Sequence, residues 1–596
     1  MPILLTVLLV QVAAAQLSGD VVDSRGEPVP GASIILTEVN TNVEIRADSE
    51  SGGTYTAFPV KPGMYRVTVE ASGFQRIVRE GVRLSTGERV RLNFDLSVSG
   101  ANPSVTVTAD ASLLRDASAN LGQVVDSDKI VDLPLNGRSF VTLAQLAPGV
   151  ALPPTTTLPR INGGRPRTNE YLYDGISVLQ PEPGQVAFMP VIDSVQEFKI
   201  ESNNPSSEFG RFNGGVVNLT MKSGTNQFHG SVFEFFRNEA LNARNLFAPA
   251  TAANPKKPEF RRHQFGFVWG GPVVKDRTFF FLDYQGTRQS IGRVRTSTVP
   301  TLAQRQGVFD TTIYDAATTR TDSTGGIIRD PFPSNTIPAE RMDPAAVGLI
   351  NRYPLPTNSS TANNYSRVGN ESDDLDQGDF RIDHMFRSPD RVFGRYSYAV
   401  GISNPVTPLP DGSGTLTSGV LGQTRTVANS FASSYVHIFG ASTTNELRIG
   451  YTDRSLHLAA IQLVSPASDS LGIPGIPSNA AFGNAMPSFV ISGFQQLGPS
   501  LSAYSDTQTA VTEIADTVSF QRGPHFLKVG LDYRRERMDI VQPPSPTGSF
   551  TFSNVETGIS GSPTSGNALA SFMLGQVDNF KIDLQQDVLK PRATIL

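Results

Sequence analysis

From residue 227 onward, apolar and polar positions alternate with period two in one segment after another. His263, Phe265, Phe267 and Trp269 fall on one face, and Gln264, Gly266 and Val268 on the other. Phe280, Leu282 and Tyr284 share a face. Phe380, Ile382, His384 and Phe386 oppose Asp379, Arg381 and Asp383. Leu447, Ile449 and Tyr451 oppose Glu446, Arg448 and Gly450; Leu527, Val529, Leu531 and Tyr533 oppose Lys528, Gly530, Asp532 and Arg534. A strand turns successive side chains to opposite faces, so each segment predicts a β-strand with an apolar and a charged face. Such a wall suits lipid on one side and water on the other. A soluble sandwich also alternates. The aromatic richness and the long polar stretches 299–376, 405–424 and 465–505 favour the membrane wall with external loops. On that reading Phe265, Phe267 and Trp269 face lipid, and Gln264 and Gly266 face the lumen. Alternation gives roughly ten to twelve strands between 226 and the last residue.

Upstream the texture differs. Residues 16–99 hold short apolar-alternating segments separated by Gly, Pro and Asp turns, the spacing of a small β-sandwich. Residues 100–110 read as a linker around the alternating segment Val105, Thr106, Val107, Thr108, Ala109. From 111 to 226 short strands mix with a short helix. Asn136, Gly137 and Arg138 lie in a turn before the helix at 143–150. A strand at 195–201 is followed by Gly210, Gly214 and Gly215, which permit close backbone approach. The strand VVNL and the turn Lys222-Ser223-Gly224 come next.

The chain has 596 residues, 50 Lys plus Arg, 55 Asp plus Glu, and a net charge of −5, without the basic stripe a nucleic-acid binder shows. It has no cysteine, which removes disulfides and thiolate metal sites. Six histidines stand singly, and no zinc, phosphate-loop, dinucleotide or nucleophile-elbow pattern occurs. The acidic run Glu371, Asp373, Asp374, Asp376, Asp379 lacks a calcium-loop arrangement and reads as a solvated loop entering a strand. No catalytic, cofactor or metal site is expected. Residues 1–15 are apolar, too short to span a bilayer as a helix, and end in three alanines, so a signal peptide cut between Ala15 and Gln16 is expected. No basic residue precedes that apolar run, which suggests a true start upstream.

Several of these motifs resemble known families. The wording of residues 194–230, with Lys222 to Asn226, His229-Gly230-Ser231 and Arg237-Asn238, is similar to the plug-to-barrel passage of TonB-dependent outer-membrane receptors, Oar-like branch. The segments 160–165 and 171–176 resemble the Oar-like plug, in which an Asp-Gly turn, here Asp174-Gly175, joins two strands of a small sheet; Asn204 departs from the plug pattern, standing where Gly is common. The segments 337–341 and 352–356 also resemble Oar-like wording. Residues 23–32, 62–65 and 73–74 resemble the carboxypeptidase-regulatory-like domain, a non-enzymatic module that shares its fold with carbohydrate-binding modules. The resemblance implies a mainly β chain: signal peptide 1–15, Ig-like or carbohydrate-binding-like sandwich 16–99, linker 100–110, α+β plug 111–226, and partial transmembrane antiparallel barrel 227–596. It implies a receptor in the outer membrane of a Gram-negative bacterium, its N-terminal domain in the periplasm. Its partners would be membrane lipid, TonB and an external ligand, carbohydrate or peptide among the candidates. Strand addition to TonB makes Val105 to Ala109 the candidate TonB box; the same segment also reads as the last strand of the sandwich. The alternative function is surface adhesion or glycan binding without transport. The resembled receptors close about 22 strands around the plug, and residues 587–596 look like the start of a further strand. The expectation is therefore the N-terminal part of a longer reading frame, folded as sandwich and plug beside an open curved sheet.

Overall fold

A computed structural model describes residues 15–98, 104–108, 121–133 and, apart from breaks, 135–595; the longest breaks are 245–249, 251–255, 415–421, 462–472 and 474–485. Residues 1–14 of the expected leader, Ala109 of the candidate TonB box and Asn136 lie outside the described residues. Ala15 and Gln16 open the first strand, Ala15–Asp23. There Ala15 is buried opposite Val60, and Gln16 pairs with Arg89.

That strand centres a four-stranded sheet with Thr54–Val60, Arg89–Arg91 and Phe94–Leu96. A second sheet runs Glu44–Asp48, Ser33–Glu38, Gly63–Glu70, Arg76–Leu84, Ser104–Thr108. Leu17, Val21, Ile34, Leu36, Tyr55, Val67 and Val69 fill the space between them. Two of these strands escape the sequence pattern. Glu44–Asp48 has only Ile45 and Ala47 as apolar positions, and Gly81 interrupts Arg76–Leu84 with a left-handed φ of 76°. The expected linker is corrected in part: Ser104–Thr108 is an edge strand, parallel to Arg76–Leu84 from Arg76↔Ser104 to Glu80↔Thr108. Of the two readings of that segment, its backbone takes the sandwich-strand one.

The next unit is a five-stranded sheet in the order Leu121–Asp126, Val195–Asn203, Val216–Met221, Glu170–Tyr173, Ile176–Ser177. Val216–Met221 is buried at every position, as a strand covered on both faces requires. Phe140, Tyr171, Tyr173, Phe198, Ile200 and Leu219 form its core. The short helix expected at 143–150 is a 3₁₀ turn at Phe140–Leu146, and Ser127–Asp132 is an additional helix capped by Asp126.

The wall has ten antiparallel strands in chain order: His229–Asn238, Phe260–Val274, Thr278–Ser297, Tyr365–Met385, Arg391–Asn404, Gln423–Gly440, Thr443–Ala459, Tyr504–Arg522, His525–Val541 and Arg592–Ile595. Among the described residues the first and last do not pair, so the sheet is open. Its faces are as expected. Phe380 (49 % exposed), Trp269, Ile449 and Leu531 look outward, whereas Gln264, Asp379, Arg381, Arg448 and Arg534 are buried on the inner face. The acidic run is used in cross-strand pairs, including Arg288–Asp376 at 2.8 Å and Arg293–Glu371 at 3.2 Å.

Turns at one end are short and connections at the other are long. The long ones are not irregular: parts of 298–364, 486–503 and 544–583 share one core of Phe309, Ile313, Leu349, Tyr353, Phe489, Phe552, Leu569 and Phe572. Arg305 donates to the carbonyls of Ile350, Tyr353 and Pro354, and Arg341 grips Asp315 with two bonds at 2.9 and 3.0 Å. The loops therefore form one folded lobe. Its apolar residues come from distant segments, so no local periodicity announces it.

Candidate functional site

Among the described residues, one plug hairpin makes a dense set of polar contacts with the inner face of the wall. Glu170–Tyr173 and Ile176–Ser177 are joined by Asp174-Gly175, both in the left-handed region (φ 50° and 80°), with Tyr173 opposite Ile176. A Cβ at Gly175 would stand 2.2 Å from the Arg448 Nη1 and would push that guanidinium aside, while the φ of 80° already favours glycine.

Four arginines on four wall strands hold this hairpin. Asp174 accepts from Arg381 Nη1 at 3.0 Å and from Arg395 Nη1; the side chains of Asp174, Arg381 and Arg395 are 5, 4 and 1 % exposed. Its Oδ1 also accepts the Met221 N–H at 3.0 Å, tying the turn to the neighbouring plug strand. Arg448 Nη1 donates to the Gly175 carbonyl at 2.8 Å. Arg534 bridges Glu170 of the hairpin (3.2 Å) and Glu513 of the wall (3.3 Å). The Ser177 N–H donates to Glu513 at 3.0 Å, and its hydroxyl to Glu170 at 2.6 Å. Arg381 further chelates Asp383 at 2.8 and 2.9 Å, and Asp383 accepts from Lys61 of the sandwich at 3.3 Å. Charges fixed this way out of water hold the hairpin in one place, and breaking one partner of such a pair costs about 3–5 kcal/mol. The arrangement can anchor and release.

The other sequence-selected positions gather around this interface. Gly137 (φ 80°) offers its carbonyl to Gln264 of the wall at 3.3 Å. The Arg138 guanidinium lies 4.6 and 4.2 Å from the ring centres of Phe233 and Phe235 and pairs with Asp193. A Cβ on Gly214 or Gly215 would meet Asn169 Oδ1 at 2.1 Å or the Glu201 carbonyl at 2.5 Å, which is the expected close approach. Gly210 faces open space and is not part of it. Asn204, where the family pattern has Gly, adopts φ 47°. The Lys222 N–H donates to the Ser194 carbonyl at 2.7 Å, and Ser223 accepts from Lys61 at 2.6 Å. At Gly224 a Cβ would stand 2.3 Å from the Phe280 carbonyl, so the chain passes from plug to wall there only with glycine. Val105, Thr106, Val107 and Thr108 lie apart from the hairpin, on the sandwich edge. The inward charge of Arg381, Arg448 and Arg534 was readable from alternation. Arg395 and Glu170 were not singled out, although Arg395 sits at an inward position of an alternating segment.

Comparison with known proteins agrees with this architecture. Residues 16–97 match the carboxypeptidase regulatory-like domain, and residues 220–595 match the outer membrane beta barrel domain. The TonB-dependent transporter Oar of Myxococcus xanthus is 28 % identical over 278 residues, covering 45 % of this chain and 26 % of that protein. The outer membrane transporter YddB from Escherichia coli has a TM-score of 0.46 at 11 % identity, over 80 % of this chain and 53 % of that one. The siderophore receptor PirA from Acinetobacter baumannii gives 0.40 at 14 % identity, over 73 % and 50 %. The match thus spans about a quarter of the curated relative's length and about half of each of these solved chains. The Oar-like resemblance read from the plug motifs is borne out, and the protein is an outer-membrane one. With its family model matched over more than half its length, the chain belongs to the outer membrane β-barrel domain family.

Proposed function

We propose that this chain is part of a TonB-dependent receptor that carries an external ligand across the outer membrane, and that it has no catalytic role. The observation that carries the reading is the arginine clamp on the plug hairpin. A plug held by several buried ion pairs leaves the wall only when work is done on it, and the outer membrane has no nucleotide supply of its own. Short turns belong to the periplasmic end of such walls and long loops to the outside. On this reading the sandwich lies in the periplasm and the loop lobe where ligand arrives. Residues 105–109 are the TonB contact, gripped by strand addition, and the leader is removed between Ala15 and Gln16. The ligand is a carbohydrate, a peptide or a metal chelate.

The test has two stages. Purified protein is screened for binding to oligosaccharides, peptides and metal chelates, and uptake of the best binder is then measured in cells. Uptake should vanish in a TonB-null strain and after deletion of residues 104–109, with surface binding unchanged in both. Uptake that persists in the TonB-null strain refutes the reading. Binding without uptake in any strain points instead to surface adhesion.

A further inference from the structure

The sandwich does not hang from the wall by its linker alone; it is docked across the short-turn end. Asn42 bonds Asp276 in the 275–277 turn at 3.2 Å, and Asn226 donates its backbone N–H to the Asn40 carbonyl at 2.9 Å and its side chain to the Thr41 carbonyl at 2.7 Å. Thr56 bonds Gln521 at 2.6 Å, and Arg391 donates to the Pro59 carbonyl. Phe58 meets Phe526 edge-on at 5.2 Å with the Lys528 ammonium 4.6 Å above its ring. Three of these wall contacts flank three different turns. The sandwich also holds the plug itself. The Thr86 N–H and hydroxyl both donate to Glu197, and Thr86 bonds Thr220 at 2.7 Å. Between sandwich, plug and wall lies a cavity of about 430 Å³, lined among others by Lys61, Glu197, Arg381, Asp383 and Val436.

Lys61 touches all three parts. Its ammonium lies 2.6 Å from the hydroxyl of plug Ser223 and 3.3 Å from the carboxylate of wall Asp383. Asp383 is held by Arg381, and Arg381 by Asp174 at the hairpin tip. The sandwich is thus linked, charge to charge, with the clamp that retains the plug. The edge strand Ser104–Thr108 belongs to this same sandwich, paired to Arg76–Glu80. Tension applied there loads the sandwich through that pairing as well as the chain that continues toward the plug.

We propose that the N-terminal sandwich is a cap on the periplasmic mouth, latched through Lys61, which must undock before the plug hairpin can leave the wall. The proposal rests on the transport reading for its driving force, but docking and latch stand on the contacts alone. The chain has no cysteine, so a single introduced thiol reports cleanly. Val436→Cys suits this purpose: Val436 is 5 % exposed, lines the cavity, and takes no part in the latch.

The experiment measures how fast Val436→Cys in the full chain, in native outer membranes, reacts with a bulky maleimide supplied on the periplasmic side. With the inner membrane uncoupled the rate should be slow. Lys61→Glu, which sets a carboxylate against Asp383, should raise it at least tenfold. Thr86→Ala, which deletes the hydroxyl's bonds to Glu197 and Thr220 and leaves the backbone one, should raise it by a smaller factor. In energised cells the unmodified latch should also give a faster rate than in uncoupled cells. A fast rate in uncoupled membranes means no docked cap and overturns the proposal. An unchanged rate in Lys61→Glu removes Lys61 as latch. Equal rates with and without energy show a static cap and overturn undocking; the transport reading is then judged separately, by uptake in the TonB-null strain.

Discussion

Replacing Asp174 by Asn should loosen the plug hairpin far more than its single-atom size suggests. The amide keeps the volume and an oxygen for the Met221 N–H, now at 3.0 Å. What it loses is the charge between two guanidiniums. Arg381 retains Asp383 at 2.8 and 2.9 Å, whereas Arg395, 1 % exposed, bonds through Nη1 to Asp174 alone among the described residues. The dominant cost is therefore a buried cation that loses its hydrogen-bonded carboxylate and keeps only the more distant attraction of Asp379 and Asp283, about 3–5 kcal/mol as an upper range. At 1.4 kcal/mol per tenfold, local opening of the hairpin becomes more than about a hundredfold easier. Native-state amide exchange of Glu170–Tyr173 in detergent-solubilised protein reads that opening directly. A second variant separates charge from packing. Arg395→Met in the Asp174→Asn background removes that cation, together with its attraction to Asp379, and should recover about 1 kcal/mol of the loss. Exchange that stays within about threefold of the parent in Asp174→Asn would show that the clamp does not hold the hairpin. Equal loss in the single and double variants would show that the stranded charge is not the reason.

Three further outcomes follow from the same structure. Gly215→Val, whose side chain would collide with the Glu201 carbonyl and Ile161, should prevent the plug sheet from forming, seen as protease cleavage of the plug with the sandwich intact. Phe267→Arg should cost about 2–4 kcal/mol in urea unfolding if the position lies near the bilayer midplane, falling toward zero at an interface, and a lipid-phase thiol reagent should mark Cys at 267 and not at 264. Burial raises the Glu197 carboxyl above its ordinary 4.5, outweighing the Thr86 hydrogen bonds that favour its charge. A folded-state acid shifted upward binds its proton more tightly than the unfolded one, so it favours folding at low pH. That contribution is lost as pH rises from near 4.5 through the raised value, and Glu197→Gln should flatten the dependence of the plug's urea midpoint over this window. A midpoint that climbs with pH in the parent but not in Glu197→Gln would reverse the assigned sign.

The parts of this fold that were legible in the sequence are those encoded by neighbours two apart. Phe380, Arg381, Ile382 and Asp383 announce two faces within four residues, and the structure turns them as the alternation says. The Asp174-Gly175 turn was legible through its resemblance to the family plug, and its two consecutive left-handed residues show why Asp-Gly suits it. Glu44–Asp48 was missed because two apolar residues are too few to set a period. The loop lobe was missed because Phe309, Phe489 and Phe572 meet only after the wall has brought their loops to one end.

The clamp lies between these cases, and it shows why half a site can be read. Alternation assigns Arg381, Arg448 and Arg534 to the inner face, and a buried charge must find a partner or pay several kcal/mol. Sequence thus says that partners exist without saying where. The partners are Asp174, the Gly175 carbonyl and Glu170, all within one hairpin of six to eight residues that has its own local signature. Neither pattern points to the other, because the register between plug and wall is set by the whole lumen. The same holds one step out, at Lys61: it lies in a sandwich loop with nothing around it in sequence to mark it, yet docking sets it against Ser223 and Asp383 at once. A residue that joins three separately folded parts carries its meaning only in their assembly.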